Sequence, residues 1–145
     1  MVFIFSIIVS KFKNLKNIKI LATDVDCVLT DCGMYYTSEG DYMKKFHTRD
    51  GMGIALLRKC GISTIIVTKE KIIEKICSEY KVKNEEVAYI GDDVNDLGLL
   101  KKVGFSATPN DGILDAQNIV DYVCKKKGGD GVLREVADLI LHNND

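Results

Sequence analysis

Proline and histidine are scarce in this chain of 145 residues: one proline, Pro109, and two histidines, His47 and His142. With a single proline, no serine-rich tract and no internal repeat, nothing reads as a linker. The 46% apolar content is enough for one core. The expected organisation is an N-terminal apolar segment and short helix over residues 1–17, then a single domain over 18–145. Two isolated histidines supply no zinc spacing to the five cysteines (27, 32, 60, 77 and 124), which contain no Cys-x-x-Cys pair. The cysteines read as reduced thiols of a cytoplasmic protein, and both histidines as structural or surface residues. Charge of one sign is also lacking. Twenty basic against 21 acidic side chains leave a net charge of −1, which excludes the basic excess of a nucleic-acid binder. The apolar stretch at 1–9, broken after Met1 only by Ser6, is far short of the about 20 residues that cross a bilayer. It also lacks the basic flank and cleavage site of a signal peptide. No membrane span is expected, and the stretch reads as a segment docking on the core or on a partner subunit.

What is present is an alternation of strand and helix patterns. Residues 10–17 suggest a short helix, 18–23 a first strand, and 34–37 with 42–46 a β-hairpin around Ser38-Glu39-Gly40-Asp41. Asp50 is placed to cap a helix over 51–60, closed by Gly61. The near-continuous apolar run 62–67 has the character of a parallel-sheet strand. A helix carrying Ile72, Ile73, Ile76 and Tyr80 inward precedes a strand at 87–90. Further helices are expected over 95–103, after the turn at 109–112 and over 132–142, with short strands at 105–108 and 122–124. This order implies an α/β domain with a mostly parallel sheet.

Two acidic clusters stand out, Asp24-Val25-Asp26 and Gly91-Asp92-Asp93-Val94-Asn95-Asp96, each directly after an apolar strand. Carboxylates at the ends of buried strands are costly unless a cation neutralises them. Mg²⁺ takes oxygen ligands, typically one or two protein carboxylates plus substrate phosphate. Ligands of such sheets gather at the carboxyl ends of the strands, where Asp24, Thr68, Asp92 and Thr108 all fall. The pattern therefore points to a Mg²⁺ site that handles a phosphate. A carboxylate there can attack phosphorus in line, and a second carboxyl can protonate the leaving alcohol and then activate water. Thr68 and a nearby lysine would offset charge on the phosphoryl oxygens. Asp96 reads as a cap or positioning residue for the helix that follows. Lys44, Lys45 and Arg49 read either as a solvated strand face or as groups that meet a substrate anion. Lys125, Lys126 and Lys127 stay open in the same way.

Asp24 to Asp31 resembles the first motif of the haloacid dehalogenase superfamily, Thr68 after its apolar strand the second, and Gly91 to Asp96 the fourth. Val28-Leu29-Thr30-Asp31, the hairpin, Arg49-Asp50-Gly51-Met52-Gly53 and Lys127-Gly128-Gly129-Asp130-Gly131 are similar to one branch. That branch is the capless 3-deoxy-D-manno-octulosonate 8-phosphate phosphatase family. The branch also includes phosphatases of nine-carbon ulosonate phosphates and a domain attached to sugar-activating enzymes, the acylneuraminate cytidylyltransferases. The resemblance covers roughly residues 18–141. It implies a three-layer Rossmann-like fold with a protruding hairpin and no cap. It also implies Asp24 as nucleophile, and Asp26 as general acid/base that binds Mg²⁺ through its backbone carbonyl. Asp92 would be the further metal ligand, with Asp93 behind it. Thr68 and Lys69 would serve the phosphoryl group, and Arg49, Gly51, Gly128 and Gly129 the sugar acid. The expected assembly is a homo-oligomer, a tetramer in which a hairpin helps cover the neighbour's site.

Two departures accompany the resemblance. Cys27 stands where the family has glycine. Between the second and fourth motifs, relatives carry a further helix and strand, whereas here Thr68-Lys69-Glu70-Lys71 runs straight into the helix before Val87. Lys69 falls where the third-motif lysine belongs, with Lys71 as the other donor, and the sheet is expected to be narrowed with one edge exposed. The departures leave open a catalytically degenerate domain acting as an assembly module, or a binding domain without turnover. A dehalogenase needs no acid at position 26, and a phosphomutase would carry a cap-sized insert that this chain lacks.

Overall fold

The computed structural model describes residues 12–67 and 72–144. Its centre is a five-stranded parallel sheet in the order β4-β1-β5-β6-β7. The strands are β1 (Ile20–Thr23), β4 (Ser63–Ile66), β5 (Val87–Ile90), β6 (Phe105–Thr108) and β7 (Tyr122–Val123). β2 (Tyr35–Thr37) and β3 (Gly40–Met43) form a separate antiparallel hairpin. The helices are α1 (Thr48–Lys59), α2 (Ile73–Tyr80), α3 (Leu97–Leu100), α4 (Leu114–Ile119) and α5 (Val132–Asn144).

Successive strand residues point to opposite faces, and the sheet has one apolar cluster on each. Leu21, Ala88, Ile90, Phe105 and Ala107 pack with Leu57 of α1 and with Val132, Leu133, Val136, Ala137 and Ile140 of α5. On the other face Ile20, Ala22, Val87 and Tyr89 meet Ile73 and Ile76 of α2, Leu99 and Leu100 of α3, and Ala116 of α4. The 3₁₀ turn Lys13–Asn17 buries Leu15 completely in the first cluster, so this part of the N-terminal stretch belongs to the domain. Residues 1–9 lie outside the described residues.

β1, β5 and β6 are buried along their whole length, whereas β4 is an edge whose Ile66 is 55% exposed. Among the described residues the connection from β4 to β5 across β1 holds one α-helix, α2, and the 3₁₀ turn Asn84–Glu86. Among the described residues no helix is long and apolar enough to cross a membrane.

The structure departs from the sequence reading in several local places. α1 begins at Thr48 because His47 caps it, Nδ1 accepting from Arg49 N at 3.2 Å. Asp50, expected as that cap, instead accepts from Arg134 N at 2.8 Å and ties α1 to the first turn of α5. The helix expected over 95–103 is a 3₁₀ turn, Val94–Asp96, followed by one turn of α-helix, α3. The second hairpin strand starts at Gly40, earlier than expected, and a bulge falls between Tyr35 and Tyr36. Cys27 and Cys32 are joined as a disulfide, against the expectation of reduced thiols throughout. Cys60, Cys77 and Cys124 are free.

Candidate active site

The sheet sets the level at which β1 and β5 end. Asp24 N donates to Ile90 O at 2.9 Å, and Gly91 N to Ala107 O at 3.2 Å, so both strands open into loops side by side. Asp24, Asp92 and Asp96 consequently each hold a carboxylate oxygen within 4.8 Å of the others. Asp96 is buried and organises the group. Its Oδ2 accepts from Asp92 N at 2.8 Å and from Asp93 N at 3.1 Å, and its Oδ1 accepts from the hydroxyl of Tyr89. Gly91 permits this fold-back, since a Cβ there would overlap the Asp96 carboxyl group. Asp93 turns to its own backbone and caps the 3₁₀ turn, accepting from Val94 N at 2.7 Å.

Among the described residues the cluster is short of positive charge, Lys44 being the cation that acts on Asp24. Burial, then the negative charges of Asp96 and Asp24, push the Asp92 carboxyl up to about 7. Asp24 is also raised, mainly by burial and further by Asp96 and Asp26; the Val25 N–H and Lys44 oppose this. A like-charge carboxylate group of this kind is stabilised in its ionised form by a divalent cation. The donor set is oxygen only, which fits a hard ion such as Mg²⁺. With three donors already on Asp96, the freer oxygens belong to Asp24 and Asp92, and Asp96 holds Asp92 in place.

Asp26 lies outside this group. Its side chain is exposed and accepts from Lys44 Nζ at 2.6 Å, a contact that reaches from the strand end across to the hairpin. The Asp26 carboxylate, by this hydrogen bond, raises the Lys44 ammonium above its ordinary value. Lys45 stands 3.8 Å from Asp31 in the same manner. Asp26, Thr30, Tyr35, Tyr42 and Lys44 line a cavity of about 450 Å³ between the loop and the hairpin, together with Cys27 and Cys32.

The loop after β1 is a tight turn: the N–H groups of Val28, Leu29 and Thr30 all point at Val25 O, and Cys27 N donates to Thr30 Oγ1 at 3.2 Å. Gly128 and Gly129 press against it. A Cβ at either position would run into the backbone of Cys27 or of Thr30 and Asp31, and Gly129 N donates to Val28 O at 3.0 Å. Glycine is what lets two backbones approach so closely. Arg49 sits at the start of α1 on a small cleft of about 230 Å³, shared with Lys126, Arg134 and acidic Asp130, Glu135 and Asp138. Gly51 is exposed within α1. Thr68, Lys69 and Lys71 lie outside the described residues.

Of the residues singled out in the sequence, the fold brings Asp24 and Asp92 together, sets Asp26 at the cavity and turns Asp93 toward a helix cap. Two contributors were not identified as site residues beforehand. Lys44 was open between a solvated strand face and an anion contact, and its place on Asp26 depends on where the hairpin lies. Asp96 was visible as a cap, but its place in the carboxylate group depends on Gly91.

Residues 54–136 match the haloacid dehalogenase-like hydrolase family. The 3-deoxy-D-manno-octulosonate 8-phosphate phosphatase of Haemophilus influenzae is 33% identical over 154 aligned positions, covering 89% of this chain and 86% of the relative. That of Escherichia coli K12 is also 33% identical, over 87% of this chain and 80% of its own. An alignment of 154 positions exceeds this chain's 145 residues while taking in only part of it, so the relative has residues this chain lacks. Among solved structures, the cobalt-bound phosphatase of Haemophilus influenzae matches with a TM-score of 0.86 and 32% identity, over 91% of this chain and 92% of its own. The Moraxella catarrhalis phosphatase, solved with magnesium, phosphate and 3-deoxy-D-manno-octulosonate (KDO), has a TM-score of 0.86 and 29% identity, over 92% of this chain and 91% of its own. With this identity over most of its length and the carboxylate group at its strand ends, the chain belongs to the haloacid dehalogenase-like hydrolases, in the 3-deoxy-D-manno-octulosonate 8-phosphate phosphatase family.

Proposed function

We propose that the chain is a Mg²⁺-dependent phosphomonoesterase for a phosphorylated keto-sugar acid, either 3-deoxy-D-manno-octulosonate 8-phosphate or a nine-carbon ulosonate 9-phosphate. The observation that carries this reading is the Asp24, Asp92 and Asp96 group, with Asp26 on the adjoining cavity. Asp24 attacks phosphorus in line and forms an aspartyl phosphate as the sugar oxygen departs. Asp26 gives its proton to that oxygen, then takes one from the water that cleaves the acyl phosphate. When bound, Mg²⁺ offsets the negative charge of the phosphoryl oxygens. Asp24, Asp92 and the backbone carbonyl of Asp26 would hold it, with Asp93 behind them.

Thr68 and Lys69, or Lys71 in its place, would meet the phosphoryl oxygens, and Arg49, Gly51, Gly128 and Gly129 the sugar acid. We further propose that α2, between β4 and β5, stands in for a lost helix–strand unit. The exposed β4 edge supports this, as does the relative's greater aligned length. The protein would work as a cytoplasmic homo-oligomer, a tetramer by its family likeness. The same shortening favours the second reading, a catalytically degenerate assembly module in sugar-acid biosynthesis.

The test is phosphate release from a panel of sugar phosphates, including eight- and nine-carbon ulosonate phosphates, with and without Mg²⁺. Turnover that needs Mg²⁺ and falls on the order of 10³-fold or more in Asp24→Asn is the expected result. A folded, assembled protein that releases no phosphate from any of them would leave the module reading.

A further inference from the structure

We propose that Cys27 and Cys32 form a reversible thiol–disulfide pair that locks the loop carrying Asp26; the link to turnover rests on the phosphatase reading. The two cysteines bracket the turn after β1 with Cα atoms 4.3 Å apart, just under the usual disulfide range of about 4.4–6.8 Å. Both line the cavity that holds Asp26 and Lys44. They are also two of the three non-glycine residues with positive φ among the described residues, at 64° and 61°. L-residues enter that conformation reluctantly. A bond between two residues in this conformation ties the two ends of the turn together, beside the hydrogen bonds to Val25 O. Free thiols at the same positions would let the turn relax toward ordinary torsions.

The reacting partner is a low-molecular-weight disulfide. Cys32 is exposed and Cys27 half-buried, so the Cys32 sulfur attacks first. One sulfur of the small disulfide joins Cys32, and the other leaves as a thiol with the Cys32 proton. The Cys27 sulfur then displaces the second small thiol, which leaves with the Cys27 proton. Two protein thiols are oxidised and one small disulfide is reduced to two thiols. A dithiol reverses the sequence. In the oxidised form the turn is fixed against Gly128 and Gly129, and Asp26 stays at Lys44. In the reduced form Asp26 loses that position relative to Asp24.

The full-length chain is treated with oxidised glutathione or with dithiothreitol, freed of reagent and alkylated, and its cysteines are mapped by mass spectrometry. Backbone hydrogen exchange over 25–32 and phosphate release are read on the same samples. After glutathione disulfide, Cys27 and Cys32 are expected to resist alkylation and to appear linked to each other, while exposed Cys60 is expected either free or joined to glutathione and never linked to another cysteine of the chain. Exchange over 25–32 is expected to be about tenfold slower in the oxidised form, and turnover about tenfold higher. Cys32→Ser is expected to show the reduced protein's exchange and turnover under both treatments. Cys27 and Cys32 remaining alkylatable after oxidation would overturn the pair. A linked pair with unchanged exchange would overturn the lock. If neither form releases phosphate, the phosphatase reading falls, and exchange still decides the lock.

Discussion

At the scale of single residues, Asp96 carries the burden of order in the candidate site. Its carboxylate satisfies a buried tyrosine hydroxyl and two backbone N–H groups, and it does so beside Asp24 and Asp92. Truncation to alanine takes the acceptor from one buried and two part-buried donors, so Asp96→Ala is expected to cost on the order of 3 kcal/mol. Denaturant unfolding measures it, and a loss within experimental error would mean that water replaces the carboxylate at no cost. Lys44 has a different task. It does not support the core, being exposed with its ammonium on Asp26, and Lys44→Ala is expected to leave stability unaltered. Under the proposed reaction the same substitution loosens the acid/base carboxylate. The expected result is a fall of about tenfold in kcat with little change in KM, read from steady-state phosphate release. A change in KM alone would instead assign Lys44 to substrate binding.

At the scale of elements, two of the boundaries that sequence patterns missed turn on where a polar side chain makes its hydrogen bonds. Asp50 precedes an apolar-periodic run and so reads as the cap of α1, yet it caps α5, 84 residues away, through Arg134 N. His47 takes the vacated role. Asp93 and Asp96 cap each other's turn reciprocally and make 94–96 a 3₁₀ segment, which shortens the helix expected there. Strands were easier to place, because β5 is wholly buried and its apolar run coincides with its hydrogen-bonded length. The tertiary cap has a measurable consequence. Burial holds the Asp50 carboxyl above its ordinary value, while the Arg134 N–H draws it down. Asp50→Asn, which keeps an acceptor for that N–H without the charge, is therefore expected to be milder than Asp50→Ala. The alanine variant is expected to lose about 1 kcal/mol or more. Equal losses in urea unfolding would show that the cap contributes nothing beyond packing.

At the scale of the whole molecule, the site was legible as far as carboxylates at strand ends imply a common rim. A parallel sheet delivers those ends to one edge whatever the loops do. The rim's detail was not legible, since charge balance depends on burial and on distances that no spacing rule contains. That balance makes a prediction for the metal-free protein. Folding raises the Asp92 carboxyl from an ordinary 3.8 to about 7, and Asp24 moves in the same direction. A carboxyl raised on folding binds more protons in the folded than in the unfolded state between those two values. Its contribution to stability is therefore greatest at low pH and is lost as pH rises from about 4 to 7. Asp31 and Glu86 shift the other way, but both are held by exposed partners and count for little. In EDTA, Tm is thus expected to be several degrees higher at pH 5.5 than at pH 8. Mg²⁺ favours the ionised cluster and is expected to raise Tm more at pH 8 than at pH 5.5, narrowing the gap. Asp92→Asn removes the group responsible, so its Tm in EDTA is expected to vary far less between the two pH values. Thermal unfolding of both proteins under the four conditions decides the matter. A wild-type Tm that rises with pH in EDTA, or a variant with the full wild-type slope, would place the pH dependence outside the carboxylate group.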